Sequence, residues 1–94
     1  MYAAVRRYEG VTDSAEAARL VNDGFVALMR QVSGFVAYYW IDAGDGVMVS
    51  TSVFQNRAGA EESISRAADF VRDNLAALLP HPPQVVAGEV VASA

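Results

Sequence analysis

The stretch GFVAYYWIDAGDGVMVSTSVF, residues 34 to 54, leaves this chain few ways to fold. Two runs of aromatic and β-branched residues flank a short Gly/Asp segment. They read as antiparallel strands, Phe35 to Ile41 and Val47 to Phe54, joined by a hairpin turn over Asp42 to Gly46. Side chains on a strand alternate between faces, so a sheet with one wet face shows polar residues at every second position. Here Phe35, Ala37, Tyr39 and Ile41 hold one parity, Val36, Tyr38 and Trp40 hold the other, and both sets are apolar. Something must cover each face of this hairpin.

The rest of the chain supplies one cover. Tyr2 to Tyr8 reads as a first strand, Gly10 as a turn, and Asp13-x-x-Glu16 as a capping box that starts a helix near Ser14. Ala18, Val21, Phe25, Leu28 and Val32 recur at helical spacing, and Gly34 closes that helix. Gly24, inside it, costs about 1 kcal/mol relative to Ala, so it marks either plain tolerance or a close approach of backbone to sheet or ligand. A second helix is expected over Ala58 to Leu79, capped by Asn56, with Ile64, Ala67, Ala68, Val71, Leu75 and Leu78 as its buried stripe. Pro80 stops it, and Val85 to Val91 makes the last strand. The order β-α-β-β-α-β is the ferredoxin-like arrangement, an α+β fold with a four-stranded antiparallel sheet in a single domain, residues 1–94. Right-handed crossovers put both helices on one face. No residues remain for the other face, so its expected cover is the same face of a second copy: a homodimer, a dimeric α+β barrel with helices outside. A domain of 94 residues has the more to gain from such a partner.

Composition narrows function mainly by exclusion. There is no cysteine, which removes disulfides, thiolate metal sites and cysteine nucleophiles, and a single histidine, His81, excludes a multi-histidine metal site within one chain. His81 lies between Pro80 and Pro82 and is expected on a solvent-facing connector. The net charge of −4, with seven arginines and no lysine, argues against nucleic acid and against an anionic membrane surface. The same fold order in RNA-binding modules needs a basic sheet and an RNP-type motif, which VMVSTSVF lacks. No run of membrane-spanning length and no secretory pattern is visible, so the expected location is the cytoplasm.

Three segments carry a family resemblance: VRRYEG before the first helix, SGFVAYYW at the second strand, and VSTSVFQNRAGAEES, a strand passing into the second helix through a polar break. With these, nearly the whole chain resembles the dimeric α+β barrel superfamily, and within it proteins similar to antibiotic biosynthesis monooxygenases. The resemblance implies a homodimer, a pocket between sheet and helices, and an aromatic residue ending the third strand, the place of Phe54. In the haem-degrading branch an Asn on the first strand acts with a Trp and a His on the second helix. The corresponding positions here hold Arg6, Ser63 and, approximately, Asp73, which do not match. Other members oxidise polycyclic phenols without metal or cofactor, using Trp, Tyr, Asn and Arg groups. The expectation is a protein that needs no metal, haem or flavin.

Within strands that should be apolar, six polar or amphipathic residues stand out as pocket candidates: Arg6, Tyr8, Tyr38, Trp40, Ser50 and Ser52. Arg6 shares a face with Tyr8, Tyr38 with Trp40, and Ser50 with Ser52. A guanidinium beside phenol and indole groups can hold a phenolate or carboxylate and stabilise charge developing on an enolate. Candidate bases are Glu9 and Glu89 near strand ends, or a tyrosine whose pKa an arginine lowers. The plainer reading is that the aromatics pack an interface, the serines make room for bulky neighbours, and an arginine pairs with Glu9 or Glu89 at the rim. Two functions follow. One is a cofactor-independent monooxygenase-like enzyme, or a binder, for a small apolar, phenolic or enolisable molecule. The other is a non-catalytic dimeric scaffold or ligand sensor with a filled core.

Overall fold

Asp45 and Gly46 both take positive φ, 54° and 76°, the two-residue turn geometry that matches the twist of a hairpin. The flanking strands therefore pair to the very ends of the turn, which is shorter than the five residues expected. In the computed structural model, which describes residues 1–94, these strands are β2 (Phe35–Gly44) and β3 (Val47–Phe54). With β1 (Tyr2–Tyr8) and β4 (Gln84–Glu89) they form one antiparallel sheet, ordered β2-β3-β1-β4. Between β1 and β2 the chain runs through α1 (Ser14–Leu20), a π-helical turn (Val21–Phe25) and α2 (Val26–Arg30). Between β3 and β4 it forms α3 (Arg57–Phe70) and a second π turn (Val71–Leu75). This is the ferredoxin-like α+β fold, with β1 and β3 at the bounds expected of them.

The caps are those the sequence offers. Asp13 accepts from the Glu16 N–H at 3.1 Å and Asn56 from the Gly59 N–H at 3.0 Å. The Glu16 side chain turns away from the expected box and pairs with Arg19.

The two π turns explain which residues are buried. Ala17, Val21, Phe25 and Met29 are all buried at intervals of four, a spacing that drifts around a helix of 3.6 residues per turn. The longer hydrogen-bonded loop of a π turn takes up the drift and keeps the four in line over the sheet. The expected stripe is displaced accordingly, with Ala18 and Leu28 half-buried. The second helix repeats the device: Ala67, Leu75 and Leu79 are buried, Val71 is half-buried, and Ala68, expected inside, is exposed.

On the helix-facing side of the sheet lie Ala4, Arg6 and Tyr8 of β1 and Met48, Ser50, Ser52 and Phe54 of β3. The β2 register shifts between Phe35 and Ala37. That bulge puts Phe35 on the face of Tyr38 and Trp40, against Phe54 at 5.9 Å, and corrects the simple alternation read from the sequence. The opposite face carries Tyr39 and Val86, 62% and 72% exposed, together with Ile41 and half-buried Val5, Val49 and Val53. Within one chain nothing covers it. No helix is long and apolar enough to cross a membrane.

The two halves of the fold meet closely at Gly59, where a Cβ would stand 2.6 Å from the Ser33 carbonyl oxygen. Backbone cannot yield as a side-chain tip can, so Gly59→Ala should destabilise by about 1–3 kcal/mol despite alanine's better helix propensity. Urea titration checks this; an unchanged or higher midpoint would show that the contact relaxes freely.

Candidate functional site

The register of the sheet assembles most of the candidate residues. Arg6 sits opposite Ser50 across β1 and β3, and Trp40 opposite Ser50 across β2 and β3, so one row of the helix-facing surface runs Arg6, Ser50, Trp40. Tyr8 and Tyr38 flank that row. Tyr8 packs on Trp40 with ring centroids 5.5 Å apart, and Tyr38 meets Phe25 edge-on at 5.2 Å. Arg6, Tyr8, Tyr38, Trp40 and Ser50 line one cavity of about 10 Å³, room for about one water molecule. Ser52 does not join them. Its Oγ donates to the Ala4 carbonyl at 3.4 Å, and it serves packing between β1 and β3. Phe54 is wholly buried, away from the cavity lining, so its role is in the core.

The roof comes from the helices. Val21 and Phe25 bound the first π turn, Val71 and Leu75 the second, and all four line the cavity with Phe70. Sequence reasoning placed several of these in a core stripe but did not see that both helices widen directly above Arg6; their four-residue spacing was the available signal. A second, open cleft of about 300 Å³ adjoins the cavity on the β4 side. It shares Arg6, Tyr8 and Val71 and adds Ile64, Pro83 and Val85. Arg72 stands at its edge, where it pairs with Asp69 and Asp73. Neither Arg72 nor Pro83 was legible as a site residue, because crossover packing alone brings them there.

Electrostatically the inner cavity is one-sided. Arg6 is only 3% exposed, and its Nη2, like the Trp40 Nε1, makes no hydrogen bond within the protein. The arginine that pairs at the rim is Arg7, with Glu9. Glu89 lies opposite Tyr2, at the far end of β1, and both glutamates are exposed. The expectation that either serves the site as a base fails on position. The expectation of a tyrosine with lowered pKa fails on balance. Burial pushes Tyr8 upward, with Arg6 only partly opposing it. Burial pushes Tyr38 up further, reinforced by Tyr8 and opposed by Ser50 and Arg6. Desolvation also lowers the Arg6 pKa, with Tyr8 and Tyr38 opposing, yet guanidinium remains charged in proteins. What lines the cavity is thus a positive charge, an indole N–H and protonated phenols, with no carboxylate or imidazole. Such a set suits an oxyanion. His81 is exposed on its connector, against Gly10.

No protein-family model and no curated protein matches the sequence. Solved structures match in fold over essentially the whole chain. NE2512, a protein of unknown function from Nitrosomonas europaea, is 23% identical with a TM-score of 0.83, covering 99% of this chain and 91% of its own. The monooxygenase ActVA-Orf6 of Streptomyces coelicolor, solved in complex with nanaomycin D, is 23% identical with a TM-score of 0.68, covering 98% and 92%. SnoaB, a cofactor-independent oxygenase from Streptomyces nogalater, is 16% identical with a TM-score of 0.66, covering 98% and 94%. The chain has the fold of antibiotic biosynthesis monooxygenase-like proteins.

The raised phenol pKa values give the fold a pH signature. Below about 10, the ordinary tyrosine value, Tyr8 and Tyr38 are protonated whether folded or unfolded. Above it the unfolded chain releases those protons while the folded chain holds them, so stability must fall as pH rises. Absorbance titration should show two of the four tyrosines ionising late, and Tyr38→Phe should reduce the late fraction. An unaltered late fraction in that variant would refute the assignment.

Proposed function

We propose that this protein binds a small aromatic or enolisable molecule through an acidic oxygen held at Arg6 and Trp40, and that the associated chemistry is cofactor-independent oxygenation. The observation that carries this reading is the pair of buried donors with no partner in the protein, Arg6 Nη2 and Trp40 Nε1. Unless a ligand or a water in the cavity supplies a partner, each donor costs about 1–3 kcal/mol, and the charged one more. Two structures of the same fold support the chemistry: a monooxygenase in complex with nanaomycin D, and a cofactor-independent oxygenase. In such a reaction the substrate anion is itself the reductant of dioxygen. The chain contributes what it has, namely a guanidinium that favours the ionised phenol or enol, N–H donors for its oxygen, and apolar walls that exclude water. With no carboxylate or imidazole at the cavity, the substrate's proton must leave to solvent, with the Arg6 guanidinium favouring the ionised form by its charge. The 300 Å³ cleft offers room for its ring system beside that arginine.

The experiment is a thermal-shift screen of phenols, naphthols, quinones and short acyl compounds, with Arg6→Met as comparator. Arg6→Met should be neutral or stabilising by about 1 kcal/mol, since it removes an unpartnered buried charge. It should weaken acidic phenols far more than neutral analogues. Equal losses for both, or a large drop in stability, would mean that Arg6 serves the fold.

The small inner cavity favours a second reading, a non-catalytic dimeric scaffold with a filled core. Both readings include a homodimer through the open sheet face. Tyr39, Ile41 and Val86 on that face support it, and a stable interface typically buries about 800 Å² per partner. Sedimentation at micromolar concentration should give a dimer, and Tyr39→Asp an insoluble or unfolded chain. A well-behaved wild-type monomer would remove the proposal.

A further inference from the structure

Gly24 is not explained by the cavity lining or by a turn. It lies within the first π turn, and a Cβ there would stand 3.1 Å from Cε2 and 3.3 Å from Cζ of Phe70. Of the two readings open for this glycine the structure shows a close approach and not plain tolerance, but the partner is an aromatic ring of the opposite helix, neither sheet nor ligand. Phe70 lines the cavity together with Trp40 and Arg6 while remaining half-buried.

The other aromatic walls come from the sheet. Tyr38 and Trp40 stand on a paired strand, and each packs on a neighbouring ring. Phe70 packs on Phe25 at 5.1 Å and seats its ring against the bare backbone of Gly24, whose missing side chain makes the space for it. It also ends α3 where the second π turn begins. The Asn74 side-chain Nδ2 donates to its carbonyl at 3.2 Å. A π turn is one inserted residue away from a regular helix, and such turns are frequent at functional sites.

We infer that Phe70 is the wall that closes the inner cavity and the residue that sets the size of ligand reaching Arg6 and Trp40, with Gly24 leaving the space its ring occupies. The size filter rests on the ligand-binding reading above. The closure itself is measurable without any ligand, because Trp40 is the sole tryptophan and its buried Nε1–H, lacking a protein partner, exchanges with bulk water at a rate set by access to the cavity.

The test follows exchange of that indole N–H by NMR. Phe70→Ala should speed it several-fold, whereas Phe35→Ala, which truncates another half-buried ring outside the cavity lining, should leave it near the wild-type rate. Equal acceleration in both, or none in Phe70→Ala, would overturn the inference. If Phe70→Ala does not fold, Phe70→Leu serves with a smaller acceleration, and its absence is equally fatal. A double-mutant cycle adds a second criterion: Gly24→Ala should lower the melting temperature in wild type but not in Phe70→Ala, and additive effects would sever the pair. With 2-naphthol as probe, Phe70→Ala should bind more tightly than wild type. Absence of binding to either variant while exchange still responds would refute the ligand reading alone and leave the closing wall standing.

Discussion

Everything in this molecule hangs on the register between β1 and β3. That pairing sets Arg6 opposite Ser50 and Ala4 opposite Ser52, and thereby sends the even-numbered residues of both strands to the helix side. A slip of one residue would exchange the two faces, bringing Arg7 and Val49 under the helices and exposing Arg6. Because β1 and β3 are the central strands, the positions of β2 and β4 follow from them. The serines show how the register is tolerated. Ser50 is small enough to sit between Arg6 and Trp40, and Ser52 settles its hydroxyl on the neighbouring strand's carbonyl.

Placing a guanidinium under the helices works against stability. Its desolvation is not offset by a carboxylate, since the nearby acid, Glu9, is engaged by Arg7 outside. Tyr8 and Tyr38 oppose that desolvation without cancelling it. The same burial that raises the phenol pKa values strengthens any interaction Arg6 makes with an incoming anion, because the local dielectric is low. A cost to the fold and a preparation for binding are here one physical fact.

The sheet's other face poses a separate problem. Both parities of the β2 hairpin are apolar, the helices cover one, and valines, an isoleucine and a tyrosine remain exposed on the other. β4 is exposed along its whole length, the least covered of the four strands. For a domain this small that unburied apolar surface is a large share of what it has available to stabilise itself, and this is why a second copy enters the proposed function on physical grounds.

The sequence by itself determined the element order, the bounds of β1 and β3, both helix caps and the two-sided hairpin, because each is written in local signals: periodicity, capping residues, and glycines where φ must be positive. It also singled out Arg6, Tyr8, Tyr38, Trp40 and Ser50, since polar groups stand out in an apolar strand. Local signals do not carry parity past a bulge, and so Phe35 was assigned to the wrong face. They do not reveal π turns either, which form when a four-residue apolar spacing has to stay in line over a sheet, and Ala68 was placed inside for that reason. Only the tertiary structure decided that Arg6 has no carboxylate partner, that burial outweighs Arg6 in setting the tyrosine pKa values, and that Gly24 faces Phe70. Each of these depends on distances between residues far apart in the chain, which packing of the two halves sets and no local pattern records.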